Sequence, residues 1–434
     1  SNGTVDVAPD TEQSMHTAAQ QANNHASGYH TDYNQTKNDQ TLEFYVDYSH
    51  NFGKHFVDVM AGYSWSHYYN QTYSETIKAD GTPSTDASYY LSKPNTFKTE
   101  YYLVSFFGRA NYSFDNRYLL TATIRRDGTS RFANNKWGLF PSVAASWNVK
   151  NEKFLRDSRA VSALKLRLSW GQTGQQDLNA GNYPSLATYT YNTDACMFPF
   201  GTTFVTPLRP DGYNADLKWE TTTTYNVGLD MGFIGDRITA SVDFYQRYTK
   251  DLLNWTPVAA GANLTNYLDA NIGDLENEGV EFEVNAVAVE TRDWNWTLGF
   301  NVAYNKTTVT RLTTDDERAD YYGVFTGGIS GGTGNTIQVH QTGHSPYSFF
   351  VYQQVYDTDG NPIEGMYVDQ NNDGKIDDAD KYCYEKAAPD YTFGFNTNLS
   401  YKNWTLAASA HANVGNYVYN NIASNGDLLT DLST

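Results

Sequence analysis

The feature that most constrains this chain is apolar–polar alternation at a period of two, held for longer than an ordinary strand. Leu42, Phe44, Val46 and Tyr48 fall on one side of a segment whose other side carries Glu43, Asp47 and Ser49. A short turn at 51–54 follows, and Val57, Val59, Ala61, Tyr63 and Trp65 then alternate with Asp58, Gly62, Ser64 and Ser66. Successive Cβ atoms of a strand point to opposite faces, so this pattern predicts a hairpin with one apolar and one polar face. The unit recurs at 102–112, 118–124, 143–149, 164–170, 230–252, 280–286, 294–304 and 393–410. Helical periodicity is rare, and the fold class is all-β and antiparallel.

Loop lengths add a second constraint. The turns at 51–54, 115–117, 234–236, 290–293 and 402–403 are tight, whereas the alternate connections at 70–98, 126–136, 173–217, 251–277 and 310–345 are long. A sandwich has no reason to sort its loops in this way. A transmembrane β-barrel does, with short periplasmic turns and long extracellular loops. The runs at 101–114 and 294–309 exceed the usual ~5–6 residues of a strand and match or exceed the ~9–11 needed to cross a bilayer at a tilt. Aromatics gather at strand ends (Tyr101, Tyr102, Tyr112, Tyr118, Trp147, Trp294, Trp404), as interfacial girdles require. Alternation alone leaves a soluble glycan-binding β protein as the alternative, its apolar lanes packed into a dry interior.

Composition removes other classes. The 434 residues carry 49 acidic and 30 basic side chains, a net charge of −19, which argues against a nucleic-acid partner. No apolar run approaches ~18 residues, so no helical membrane span is expected. Cys196 and Cys383 cannot form a disulfide framework, although both fall in segments expected to be extracellular, where one pairing would be allowed. Residues 1–28 lack the apolar stretch of a secretion signal.

Several blocks resemble the SusC/RagA-type TonB-dependent outer-membrane transporters of the Bacteroidota. They include Tyr118 to Phe132, Trp137 to Trp147, Leu164 to Gly174, Leu217-Lys218-Trp219-Glu220 and Asn226 to Asp230. Thr249 to Leu253, Asn271-Ile272-Gly273, Gly279-Val280-Glu281, Asp369 to Asp380 and Pro389 to Phe395 continue in the family's order. The resemblance covers roughly 39–420 and implies part of a barrel of about 22 strands. It also implies outer-membrane localisation, a plug domain coupled to TonB, and a SusD-like surface lipoprotein as partner. Oligosaccharides, in some members oligopeptides, would be imported by gated passage, without enzymatic activity; a plug-free passive porin is the remaining transport alternative. No plug, no TonB box and no closing strands after Val414 to Tyr417 are recognisable, so 1–434 reads as a partial barrel from a longer polypeptide. Such a piece alone would leave open sheet edges in lipid.

The sharpest chemical motif is Asp369-Gln370-Asn371-Asn372-Asp373-Gly374-Lys375-Ile376-Asp377-Asp378-Ala379-Asp380. Its spacing matches the calcium loop D-x-[DN]-x-[DN]-G. Asp369, Asn371, Asp373, the Lys375 carbonyl, Asp377 and Asp380 would offer hard oxygens to a structural Ca2+, and Gly374 would permit the sharp turn. Asp in place of the usual final Glu and the absence of flanking helices set it apart from a helix–loop–helix site. Strand counting places this loop outside the cell. Gly328 to Gly332 matches G-x-S-x-G, but no helix can follow readily; His340 and His344 lack the helix that would align them; Glu281 and Glu283 fit a polar strand face without catalysis. No catalytic residue is therefore assigned. The long loops, rich in Tyr, Trp, Asn and Asp, suit sugars without identifying individual contacts.

Overall fold

In a computed structural model the described residues are 2–7, 29–78, 95–177, 181–191, 198–201, 203–205, 208–257, 267–312, 323–329 and 335–422. Strands β1 (Asn2–Val7), β2 (Tyr29–Phe52), β3 (His55–Lys78) and β4 (Asn95–Phe114) lead to β5 (Tyr118–Thr129), β6 (Trp137–Asn148) and β7 (Val161–Gln175). The next connection holds β8 (Tyr189–Tyr191), β9 (Phe198–Phe200), β10 (Thr203–Val205) and β11 (Leu208–Pro210). Then come β12 (Glu220–Phe233), β13 (Ile238–Lys250), the short β14 (Leu253–Pro257) and β15 (Tyr267–Asn271), and the long β16 (Asp274–Glu290) and β17 (Trp294–Arg311). A last excursion carries β18 (Val324–Gly328), β19 (Thr336–His340), β20 (Ser348–Tyr352), β21 (Gln354–Tyr356), β22 (Pro362–Tyr367) and β23 (Lys381–Lys386) before β24 (Tyr391–Tyr401) and β25 (Trp404–Val414).

Thirteen strands form one sheet in the order β1-β2-β3-β4-β5-β6-β7-β12-β13-β16-β17-β24-β25. All neighbours are antiparallel and adjacent in the order of wall strands, an up-and-down meander. The remaining strands form small sheets in the long connections. Residues 336–340 and 348–352 pair within the four-stranded sheet β18-β19-β20-β23 and not in the wall. The pairing of β2 with β3 runs from Phe52↔His55 to Tyr29↔Lys78, well past the alternating segments. Those outer portions lack the alternation, so periodicity could not mark them.

Two faces follow from the pleat. Leu42, Phe44, Val46 and Tyr48 remain 58–65% exposed, and Leu120, Ile124, Leu139 and Phe244 are likewise exposed. Among the described residues no second sheet covers this apolar face. The buried cluster of Phe132, Phe140, Leu217 and Trp219, with Leu103 and Leu253 packed against it, lies at the long-loop end. A dry core between two sheets is therefore not what holds the strands.

Aromatics border the exposed lane at both ends. At the tight turns Phe114, Tyr118 and Trp147 follow one another with ring centroids 6.4 Å apart at each step, and Arg117 lies over Phe114 and Tyr118. Toward the loops, Phe106 packs on Trp137 at 6.1 Å, and Arg126 lies over Trp137 at 5.0 Å. From Tyr118 to Arg126 the strand advances about 27 Å, at ~3.4 Å per residue, which suits a tilted crossing of an apolar band of about 25 Å.

Candidate functional site

The face opposite the apolar lane is a continuous polar wall. On β7, Arg167 reaches across β12 to form two hydrogen bonds with Asp230, at 2.9 and 2.8 Å, and one with Asp243 on β13, at 2.9 Å. Gly228 makes the crossing fit, because a Cβ there would stand 2.6 Å from Arg167 Cζ. Farther along, Asn277 Nδ2 donates to Asn305 Oδ1 at 2.8 Å and to Thr307 Oγ1 at 2.6 Å, and Tyr245 donates to Asn305 at 3.0 Å. On the other flank Thr121 donates to Asn111, which donates to Asp58, at 2.8 and 2.7 Å. Cross-strand pairs of this kind satisfy polar groups without a hydrophobic partner layer, which suits a water-lined surface.

At the long-loop end the loops are tied together. Arg131 stacks on Tyr101 at 3.9 Å, pairs with Asp177 and donates to Asn182 at 3.2 Å. Trp219 packs edge-on against Phe140, with centroids 5.4 Å apart, and donates to the Lys136 carbonyl at 3.0 Å. Asn271 bridges the Lys218 and Asp251 carbonyls at 2.8 and 2.9 Å, while Arg311 holds Asp274 at 2.9 and 3.1 Å. This frame presents exposed aromatics from the 176–219 connection, namely Tyr183, Tyr189, Phe198, Phe200 and Tyr213. Exposed rings of this kind can stack on apolar sugar faces or on side chains of a bound oligomer.

The predicted cation loop lies in the same outer region, between β22 and β23. Asp373 and Gly374 N–H donate to Asp369 at 3.2 and 2.8 Å; Asp373 N–H also donates to Asn371 Oδ1, and Lys375 N–H to Asp373, each at 2.9 Å. Asp377 accepts from Ala379 N–H at 2.9 Å, and the fully buried Asp380 accepts from Gln370 and Asp377 N–H, each at 2.8 Å. The Asp377 N–H, foremost among several backbone donors, holds the Asp380 carboxyl below its ordinary 3.8. The donor set is all oxygen, which is the chemistry of a hard cation. In this arrangement, however, the carboxylates serve backbone amides, and among the described residues no three His, Cys, Asp or Glu side chains are grouped to hold a metal. Ile376, within the loop, is exposed.

The other motifs lead elsewhere. Ser330, Gly331 and Gly332 of the G-x-S-x-G match lie outside the described residues, as does Cys196, so its pairing with Cys383 lies there too. Cys383 donates to Gln341 Oε1 at 2.9 Å, and burial pushes its thiol up to about 11, far from thiolate reactivity. His340 sits in β19 against the Tyr347 ring, its centroid 4.5 Å away, and burial lowers its affinity for a proton. Glu283 accepts from Asn285 on its own strand at 2.7 Å, as a wall residue would. The Arg167 crossing and the loop-frame contacts escaped the sequence reading. A glycine opposite an arginine on neighbouring strands was the one available hint.

Comparison with known proteins matches residues 4–426 to the family described as TonB dependent receptor-like, beta-barrel. The chain is 42% identical over 403 residues to the TonB-dependent receptor SusC of Bacteroides thetaiotaomicron, covering 93% of this chain and 40% of that protein. It is 31% identical over 405 residues to TonB-dependent receptor P3 of Formosa agariphila, covering 87% and 39%. It superposes on a solved structure of the RagAB peptide transporter with a TM-score of 0.71 at 24% identity, covering 89% of this chain and 42% of that one. The chain thus spans about two fifths of the length of the curated relatives it matches.

Proposed function

The chain belongs to the TonB-dependent receptor-like β-barrel family and is an outer-membrane protein of SusC/RagA type, and from that premise we propose that it forms wall and outer loops of an importer for oligomeric nutrients. One observation carries this reading: the exposed apolar lane bordered by aromatics on one face, backed by the hydrogen-bonded polar wall on the other. Hydrocarbon covers the first face and the water of a passage wets the second. Gated passage follows, in which an outer lipoprotein of SusD type captures the oligomer and the loop-end aromatics receive it. TonB, acting on a plug domain, then opens the way. Glycan oligomers are the favoured substrate, because the 176–219 connection offers exposed rings beside carboxylates and amides; peptides are the second class. The protein itself performs no covalent chemistry.

The Asp369–Asp380 loop is proposed to take Ca2+ as a structural ion, supported by its oxygen-only donors at calcium-loop spacing. Asp369, Asn371, Asp373, the Lys375 carbonyl, Asp377 and Asp380 would hold it. Binding would draw carboxylate oxygens from backbone donors to the ion and stiffen the loop.

The wall is tested by single cysteines at Leu120 and Thr121 in full-length protein carrying Cys196→Ser and Cys383→Ser. In outer-membrane vesicles a membrane-impermeant thiol reagent should label position 121 and spare position 120; equal labelling overturns the two-solvent wall. Uptake of fluorescent glycan and peptide oligomers, with and without TonB, tests import. Uptake that continues without TonB would favour a passive pore.

A further inference from the structure

We propose that the tight-turn end of this wall holds an anionic phospholipid of the periplasmic leaflet, its acyl chain in a hollow over Ala145 and its headgroup against the turn after β6. The proposal rests on the outer-membrane reading above, which sets the tight turns on the periplasmic side. The hollow, about 320 Å³, lies on the apolar lane. Ala145 floors it, and Tyr112, Tyr118, Trp147, Leu166 and Leu168 wall it. It exists because one small residue is paired between Leu120 and Leu168, while the next pair toward the turn carries the large rings of Tyr118 and Trp147. A hollow within a lipid-facing surface is filled by a hydrocarbon chain, and aromatic walls restrict that chain to few conformations.

The turn beneath supplies the charge. Glu152, buried, accepts from Arg117 at 3.0 Å, Tyr118 at 2.6 Å and Trp147 at 3.1 Å, which latches residues 149–159 to the aromatic border. Lys150 Nζ donates to the carbonyls of Leu155, Arg156 and Ser158 at 3.1, 3.1 and 2.7 Å, so its three protons close the turn from within. What faces out is mainly cationic and apolar: Lys153, Arg156 and Arg159 are exposed beside one exposed carboxylate, Asp157, and Phe154 is 74% exposed. Asp157 is a loose neighbour, 3.7 Å from Arg156. The turn carries four basic and two acidic residues within a chain of net charge −19, so this local excess is complementary to anionic headgroups. An exposed ring among cations beside an apolar band is the composition that lies in a membrane interface.

Full-length protein in detergent is to be titrated with phosphatidylglycerol and phosphatidylethanolamine of identical chains, with bound lipid read by native mass spectrometry. Phosphatidylglycerol should be retained in preference. Lys153→Gln, Arg156→Gln and Arg159→Gln should each weaken its binding about fivefold, the equivalent of ~1 kcal/mol per cation, and leave phosphatidylethanolamine unchanged. Ala145→Trp, which fills the hollow from the lipid side, should lower retention of both. In a Phe154→Trp variant, brominated phosphatidylglycerol should quench the new fluorescence relative to the parent. A heat-modifiable folded band, measured in parallel, keeps two failures apart. Loss of that band in the wild type sinks the barrel reading; a folded barrel without lipid preference, or with retention untouched by these changes, overturns the lipid site alone. Absence of quenching means that protein covers Phe154, and likewise overturns it.

Discussion

Replacing Gly174 by alanine should destabilise the loop end of the wall, whereas the same change at Gly108 should not. Gly174 lies under the ring of Phe140: an added Cβ would stand 2.1 Å from Cζ and 2.4 Å from Cε1. Carbon atoms rest at about 3.5–4.0 Å, so the ring would have to retreat by about 1.5 Å. It has little room to do so. A Cβ built on Gly138 would also meet the ring, at 2.3 Å, and Trp219, tethered to Lys136, closes the side at 5.4 Å. Overpacking of this kind costs about 1–3 kcal/mol, against a gain of about 0.4–1 kcal/mol from the less flexible unfolded chain. Gly108 offers the control. Its Cβ would meet only the Met60 carbonyl at 3.6 Å and Ile124 at 3.9 Å, so only the gain should remain. The two variants should therefore differ by about 1–3 kcal/mol in urea unfolding of full-length protein in micelles, with the heat-modifiable band as the folded fraction. A Phe140→Leu background should relieve the clash, which gives a coupling of about 1 kcal/mol between positions 140 and 174. Equal midpoints for the two alanine variants, or zero coupling, would refute the slot.

Three further outcomes are expected. Backbone donors depress the Asp380 carboxyl, so its contribution is complete above the ordinary 3.8 and is lost as pH falls through the lower folded value; protection of the Gln370 and Asp377 amides, measured against the intrinsic exchange rate at each pH, should be strong at pH 5 and be lost only at still more acidic pH. Calcium should slow exchange across 369–380 and Asp369→Ala should abolish that effect; no response to calcium in the unaltered protein removes the ion from the reading. Ile234 holds φ +56°, which a β-branched residue adopts at a cost of ~1–2 kcal/mol, and its side chain is 59% exposed; Ile234→Gly should raise the unfolding midpoint, and a lowered midpoint would show that packing outweighs the strain.

The wall was legible because its signal is local. Glu281 and Glu283 against Val280 and Phe282 need only the pleat to tell one face from the other, and the tight turns at 115–117 and 402–403 follow from chain reversal between alternating runs. Strand ends were less legible. The outer halves of β2 and β3 lack the alternation, and pairing with each other and with their neighbours β1 and β4 makes them strands. The calcium-loop spacing pointed to a sharp turn at Gly374, which holds φ +81°, yet spacing could not foresee Asp380 clasping Gln370 from a fully buried position.

Composition and period two by themselves determined that this chain makes antiparallel ribbons with one greasy and one wet side, because side-chain direction along a strand depends on nothing beyond the backbone. The tertiary structure alone decided where distant segments meet: Leu217 and Trp219 beside Phe132 and Phe140, Arg167 over Gly228, Arg131 against Tyr101. Those meetings depend on the register of each strand pair and on how the loops fold back over the sheet. Shifting a pair by two residues preserves every face while changing every neighbour, so periodicity could not encode them.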